Sequence, residues 1–136
     1  MPPIWLIYGV VYDHDNLNEA THDAIHEMFG VGNITAFNHV LLMIRKGQIV
    51  DKDANDVYLP NIARLNIPIT FLQGALNQLF LPDETERALD FLVQKDGAAG
   101  YERILFPNYG HMDHFIGKNA AIDIYPTVLA ALDGHN

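Results

Sequence analysis

Apolar positions follow two different rhythms along this chain, and the change comes near residue 60. Upstream, "IWLIYGVVY" (4–12) is a nearly unbroken apolar run rich in β-branched and aromatic residues. It fits a buried strand or an extended lead-in. The next segment, "NLNEATHDAIHEMFG" (16–30), carries Leu17, Ala20, Ala24 and Met28 at helical spacing, with Ile25 and Phe29 widening the stripe. Asp15 or Asn16 is placed to cap its start, and Gly30 sits where a left-handed C-cap belongs. A second helix is predicted over 34–46, starting after Asn33 and stopping at Gly47, with Arg45 and Lys46 in the last turn where they suit the dipole. It is apolar on most sides ("AFNHVLLMI"), which predicts burial against another surface. Residues 47–58 read as a polar loop.

From Pro60 the rhythm becomes strand, helix, strand, helix. "IPITFLQG" (67–74) is a short apolar run bounded by Pro68 and Gly74, as a strand buried on both faces would be. "LPDETERALDFLVQK" (81–95) reads as a helix with acids in its first turn and a lysine at its end. "YERILF" (101–106) is the next strand, and "KNAAIDIYPTVLAALD" (118–133) a closing helix kinked or restarted at Pro126. This order predicts an α/β fold with parallel strands and crossover helices. The chain divides into an extended segment with two helices (1–58) and a strand–helix–strand–helix part (59–136), together one structural domain.

Charge narrows the partners. Eight basic against seventeen acidic residues leave a net charge of −9, which argues against nucleic acid, whose phosphates need clustered Lys and Arg. No glycine-rich nucleotide loop occurs. There is no cysteine, so disulfides and thiolate ligands are excluded and a cytoplasmic address is the expectation. No apolar run approaches the roughly 20 residues a bilayer span needs, and Met1-Pro2-Pro3 lacks the basic start of a signal peptide.

Candidate chemistry sits after the two strands, at the carboxyl ends where α/β proteins place functional loops. The first loop is "GALNQLFLP" (74–82) and the second "FPNYGHMDHFIG" (106–117). The second delivers His111 as a general base would be delivered, yet the chain contains no serine and no cysteine for it to activate. Tyr109 and Asp113 read as loop-packing and helix-capping residues. Two metal readings also arise. "HDAIH" (22–26) sets His22 and His26 at the spacing of a zinc-binding helix, with Asp23 where glutamate belongs. "DKDANDVYLPNI" (51–62) starts like a calcium loop, then has Asp56 in place of glycine and Ile62 in place of the closing glutamate. The second is rejected; the first stays as an alternative in which this is a small metal-binding protein.

The pattern strand–GxxN/D–xxxxP–helix–strand–xxxxGH resembles the last third of α/β-hydrolases. The wording "NYGHMDHFIGKNAAIDIYP" (108–126) is similar to acid lipases, and more so to the hydrolase-like C-terminal region of some bacterial cholesterol-oxidase-like flavoproteins of the glucose–methanol–choline type. The resemblance covers residues 60–133 well and 5–46 more loosely, as cap helices. It implies a partial α/β-hydrolase fold in which His111 takes the triad-histidine position and Asn77 the position of the acid. Asn77 departs from the pattern, since an amide cannot stabilise an imidazolium as a carboxylate does. The serine elbow would lie upstream of the matched part. The expectation is therefore a hydrolase-like C-terminal segment, inactive alone. Its parent would act on esters or be a sterol-oxidase-like flavoenzyme, with any FAD bound outside this segment and no cofactor within it. The residues of 16–46 would be part of a lid over a pocket for an apolar small molecule, lipid or sterol ester. A noncatalytic assembly or ligand-binding module with a degenerate triad is the alternative. Loss of the upstream strands predicts open apolar surface and hence a homo-oligomer.

Overall fold

The computed structural model describes residues 10–30, 32–97 and 99–134. The expected extended run at 4–12 thus lies largely outside the described residues; Val10, Val11 and Tyr12, at its end, are in no strand. The fold is mixed α/β, with six α-helical segments and a two-stranded parallel sheet among the described residues. The chain separates into two compact units, residues 1–26 with 68–136, and residues 27–67.

The first unit holds the sheet. Strand β1 (Ile69–Gly74) pairs in parallel with β2 (Tyr101–Phe106), register running from Ile69 opposite Tyr101 to Gly74 opposite Phe106. The crossover between them contains a helix over Pro82–Asp96, which begins with proline at its first position and Asp83 and Glu84 in its first turn. Proline has no N–H to waste there, and the acids face the positive end of the helix dipole. These elements lie within a residue or two of their predicted bounds.

The segment preceding the sheet in sequence differs from expectation. A 3₁₀ turn over His14–Asn16 is capped by Asp13, and the first α-helix, α1 (Glu19–Ala24), is capped by Asn18, whose side-chain oxygen accepts from the Thr21 N–H at 2.7 Å. The helix then tightens into a 3₁₀ turn over Ile25–Glu27. With Asp13, Asp15, Asn16 and Asn18 crowded together, side chains compete for the backbone donors, and the cap moves past the predicted Asp15 or Asn16. Gly30 is not left-handed; among the described glycines only Gly47, Gly97 and Gly100 are.

The second unit is built on α2 (Ile34–Lys46), capped by Asn33 and stopped by Gly47 at φ 67°, as predicted. None of its residues is buried, which corrects the expected burial: Ile34 and Ile44 are 72% and 69% exposed. His39 Nε2 bonds the carbonyl of the buried Val50 at 2.8 Å. The 51–55 turn closes on itself, Asp51 accepting from the Asp53 and Asn55 N–H groups and from the Asn55 amide. Those bonds, led by the Asn55 side chain, hold the Asp51 carboxyl below its ordinary range. A 3₁₀ stretch at Leu59–Arg64 follows, beyond the predicted loop 47–58, where the sequence assigns no element.

Back in the first unit, we number the crossover helix (Pro82–Asp96) α3. After β2 come three short helices, α4 (Asp113–Ile116), α5 (Ala120–Asp123) and α6 (Tyr125–Asp133); the last two are the expected closing segment with its restart near Pro126, and α4 is additional. Proline in the first turn of α6 forces the restart. Phe106, Tyr109, Ala120 and Ile124 form the buried core, with Leu72, Ile104 and Val128 packed on it. No helix among the described residues is long and apolar enough to cross a membrane.

Candidate functional site

The loops after β1 and β2 meet because Gly74 lets them. A Cβ at Gly74 would stand 2.2 Å from the Tyr109 carbonyl oxygen and 2.3 Å from that of Gly110, closer than any real side chain comes. Relieved of that atom, the two loops bond backbone to backbone: Ala75 N–H donates to Phe106 O and Leu76 N–H to Tyr109 O, both at 2.9 Å. The second loop is also tied to the 11–16 segment. Met112 N–H donates to Val11 O at 2.8 Å, Lys118 N–H to Asn16 O at 2.7 Å, and the Asn16 amide to Asn108 O at 2.7 Å.

Asp113 anchors the turn that presents His111. It is fully buried, and its Oδ2 accepts from the Gly110 N–H at 2.9 Å and from the Asn16 amide. Its other oxygen has no hydrogen-bond partner among the described residues. A Cβ on Gly110 would lie 2.7 Å from that oxygen, so the turn needs glycine at 110 as well. Tyr109 packs in the core and donates its hydroxyl to Asp123 at 2.6 Å; burial first, then the Asp123 carboxylate, push its pKa up to about 12. Tyr109 therefore stays a protonated phenol at neutral pH, its O–H committed to Asp123.

His111 and Asn77 are brought together: Asn77 Nδ2 and His111 Nδ1 are 3.1 Å apart. The amide's orientation follows from its other contacts. Asn77 Oδ1 accepts from the Leu79 and Phe80 N–H groups, each at 3.0 Å. Two backbone donors require the oxygen on that side, which leaves the NH₂ facing the imidazole. Turning the amide over would set NH₂ against both N–H groups, at about 1–3 kcal/mol for each donor left unsatisfied. His111 Nδ1 must then be the acceptor, and its proton sits on Nε2. Burial holds the His111 pKa below its usual 6.5, and His114 pushes the same way while Asp113 opposes. The ring is flanked by Phe80, 5.2 Å between centroids.

His114, one helical turn on, is 6% exposed. Its Nδ1 faces the Gly110 carbonyl at 3.2 Å. A carbonyl can only accept, so His114 Nδ1 carries a proton, and in the neutral ring the lone pair is on Nε2. The adjacent rings are thus opposite tautomers. Both line a cleft of about 310 Å³ with Leu72, Phe80, Ala88 and Phe115. Of these features, the contact between Asn77 and His111 was readable from their places at the ends of neighbouring strands. The controlling donors of Leu79 and Phe80, and the tie to Asn16, were not.

The zinc alternative is not assembled. His22 Nε2 instead meets His14 Nδ1 at 3.0 Å, while His26 falls in the 3₁₀ turn beyond α1, where the helical spacing is lost. Among the described residues no three histidine, aspartate or glutamate side chains converge as a metal site would need. Comparison of the chain with models of protein families, with curated proteins and with solved structures finds no match.

Proposed function

We propose that this chain is an α/β-hydrolase-like segment that keeps the histidine and acid positions of a triad, at His111 and Asn77, without being a hydrolase by itself. The arrangement of loops at the ends of two parallel strands supports the hydrolase-like part of the reading. The orientation of the Asn77 amide carries the rest. In a working triad a carboxylate accepts Nδ1–H, leaving the Nε2 lone pair to take the nucleophile's proton. Here Asn77 donates to Nδ1, so Nε2 holds a proton and has no lone pair to offer. The corresponding Asp→Asn change in serine proteases lowers turnover about 10⁴-fold for the same reason. With neither serine nor cysteine in the sequence, no strong nucleophile is present for His111 to activate.

In this reading any ester-cleaving or flavin chemistry belongs to a longer parent, and this segment contributes the wall of an apolar binding site. The same proposal includes a cytoplasmic address and a homo-oligomeric state. The test is turnover of a short-chain p-nitrophenyl ester. The rate should not exceed that of the same concentration of free imidazole. A rate well above it, abolished by His111→Ala, would overturn the reading.

A further inference from the structure

We propose that the cleft between β1, α3 and α4 binds a small neutral apolar molecule whose polar end both accepts and donates a hydrogen bond, such as an alcohol or a carboxamide. His111 is the donor to it and His114 the acceptor. The inference deepens the non-hydrolytic reading above and rests on it for the role of Asn77.

The opposite tautomers are the first ground. His111 Nδ1 is committed to the Asn77 amide and His114 Nδ1 to the Gly110 carbonyl, each by a partner that can play only one part. What remains on the two rings, which stand 6.5 Å apart between centroids, is one N–H and one lone pair. Neither Nε2 has a hydrogen-bond partner among the described residues, and neither is fully enclosed: the buried side-chain polar atoms without a partner are Thr70 Oγ1 and Asp113 Oδ1, so each Nε2 keeps surface open to a guest. A ligand with both a donor and an acceptor would satisfy the two together. A carboxylate supplies only acceptors, and would leave the His114 lone pair facing a negative oxygen.

The walls are the second ground. Leu72, Phe80, Ala88 and Phe115 give the cleft an apolar lining, and about 310 Å³ lies at the small end of the roughly 300–1,000 Å³ of ligand sites. Phe80 and Phe115 are each more than half exposed, so aromatic surface is already open to a guest. Among the described lining residues the only formal charge is that of Glu84, whose partner Arg87 stands 3.7 Å away. No lysine or arginine is among the lining residues to neutralise an anion.

The experiment uses the full chain labelled with ¹⁵N at histidine. Long-range ¹H–¹⁵N spectra at neutral pH should show His111 as the Nε2–H tautomer and His114 as Nδ1–H. Benzyl alcohol and benzamide should then shift both rings saturably, with benzoate and toluene at least tenfold weaker. Asn77→Asp can still accept from Leu79 and Phe80, so the loop keeps its bonds. It should convert His111 to Nδ1–H and reverse the preference, from benzyl alcohol to the benzylammonium ion, by at least tenfold. His111 found as Nδ1–H in the wild type would overturn the proposal. So would equal binding of benzoate and benzyl alcohol, or no saturable ring shift with any probe. If no ester is turned over yet the rings stay silent, the binding inference alone fails. Turnover above imidazole would instead remove the reading on which it rests.

Discussion

At the scale of single residues, two side chains decide how the loop after β2 behaves. Burial lowers the His111 pKa in the folded chain, with His114 acting in the same direction. The unfolded chain therefore takes up a proton first as pH falls. The stability tied to the neutral ring is present above about 6.5 and is lost as pH drops through the folded value. Urea denaturation at about pH 7.5 and about pH 5 should show a larger loss for the wild type than for His111→Gln. Equal losses would mean that the ring is not held neutral by its surroundings. Asp113 acts by bonding. Removing its carboxylate strands the Gly110 N–H and the Asn16 amide, and empties a fully buried site. Asp113→Ala should cost about 2–6 kcal/mol, from about 1–3 kcal/mol for each of the two stranded polar groups. A midpoint within error of the wild type would show that the turn does not depend on it.

Among elements, the strength of the local pattern separates what the chain announces from what it hides. β1 and α3 are legible because Pro68, Gly74 and Pro82 punctuate short apolar runs, and β2 because its run sits between Gly100 and Pro107. The four-residue α4 is not, since one turn carries no periodicity, and α1 is misjudged because neighbouring Asp and Asn side chains offer rival caps. The same limit applies to the site. Two loops at the ends of adjacent strands predict that Asn77 and His111 meet. The direction of their hydrogen bond depends on where the Leu79 and Phe80 N–H groups point, which is a matter of turn geometry with no compositional signal. Gly74 joins these levels. Its missing Cβ lets the loops approach, so Gly74→Ala should force backbone apart at a cost of about 1–3 kcal/mol or more. Part of that movement should reach the histidine. The tautomer signal of His111 should broaden or change in the variant, and an unaltered ring spectrum with unaltered stability would show that the loops close by another route.

For the whole molecule, the contest is between apolar surface and charge. On α2, Ile34, Leu41 and Ile44 are 72%, 49% and 69% exposed. They recur at intervals of seven and three residues, so they share one helical face. Ile122, Leu129 and Leu132 on the closing helices are 75%, 59% and 63% exposed. A stable specific interface buries roughly 800 Å² per partner. At about 25 cal/mol per Å², even the apolar part of such an area drives association by several kcal/mol before its costs. Against this stands a net charge of −9 on each copy. Salt screens that repulsion, over a Debye length near 10 Å at 0.1 M and about 3 Å at 1 M, and leaves the apolar term intact. Homo-oligomer formation should therefore strengthen with salt, which is opposite to what an ion-pair interface would do. Light scattering coupled to gel filtration, at low micromolar protein and at both salt concentrations, reads this directly. The mean mass should rise above the 15.3 kDa of one chain, and more so at high salt. Leu41→Glu with Ile44→Glu should return it toward the monomer while leaving the His111 ring spectrum unchanged, since the two lie in separate compact units. A single species of 15.3 kDa at both salt concentrations would show that the exposed apolar residues are too scattered to act as one face, and the oligomer would have to be abandoned.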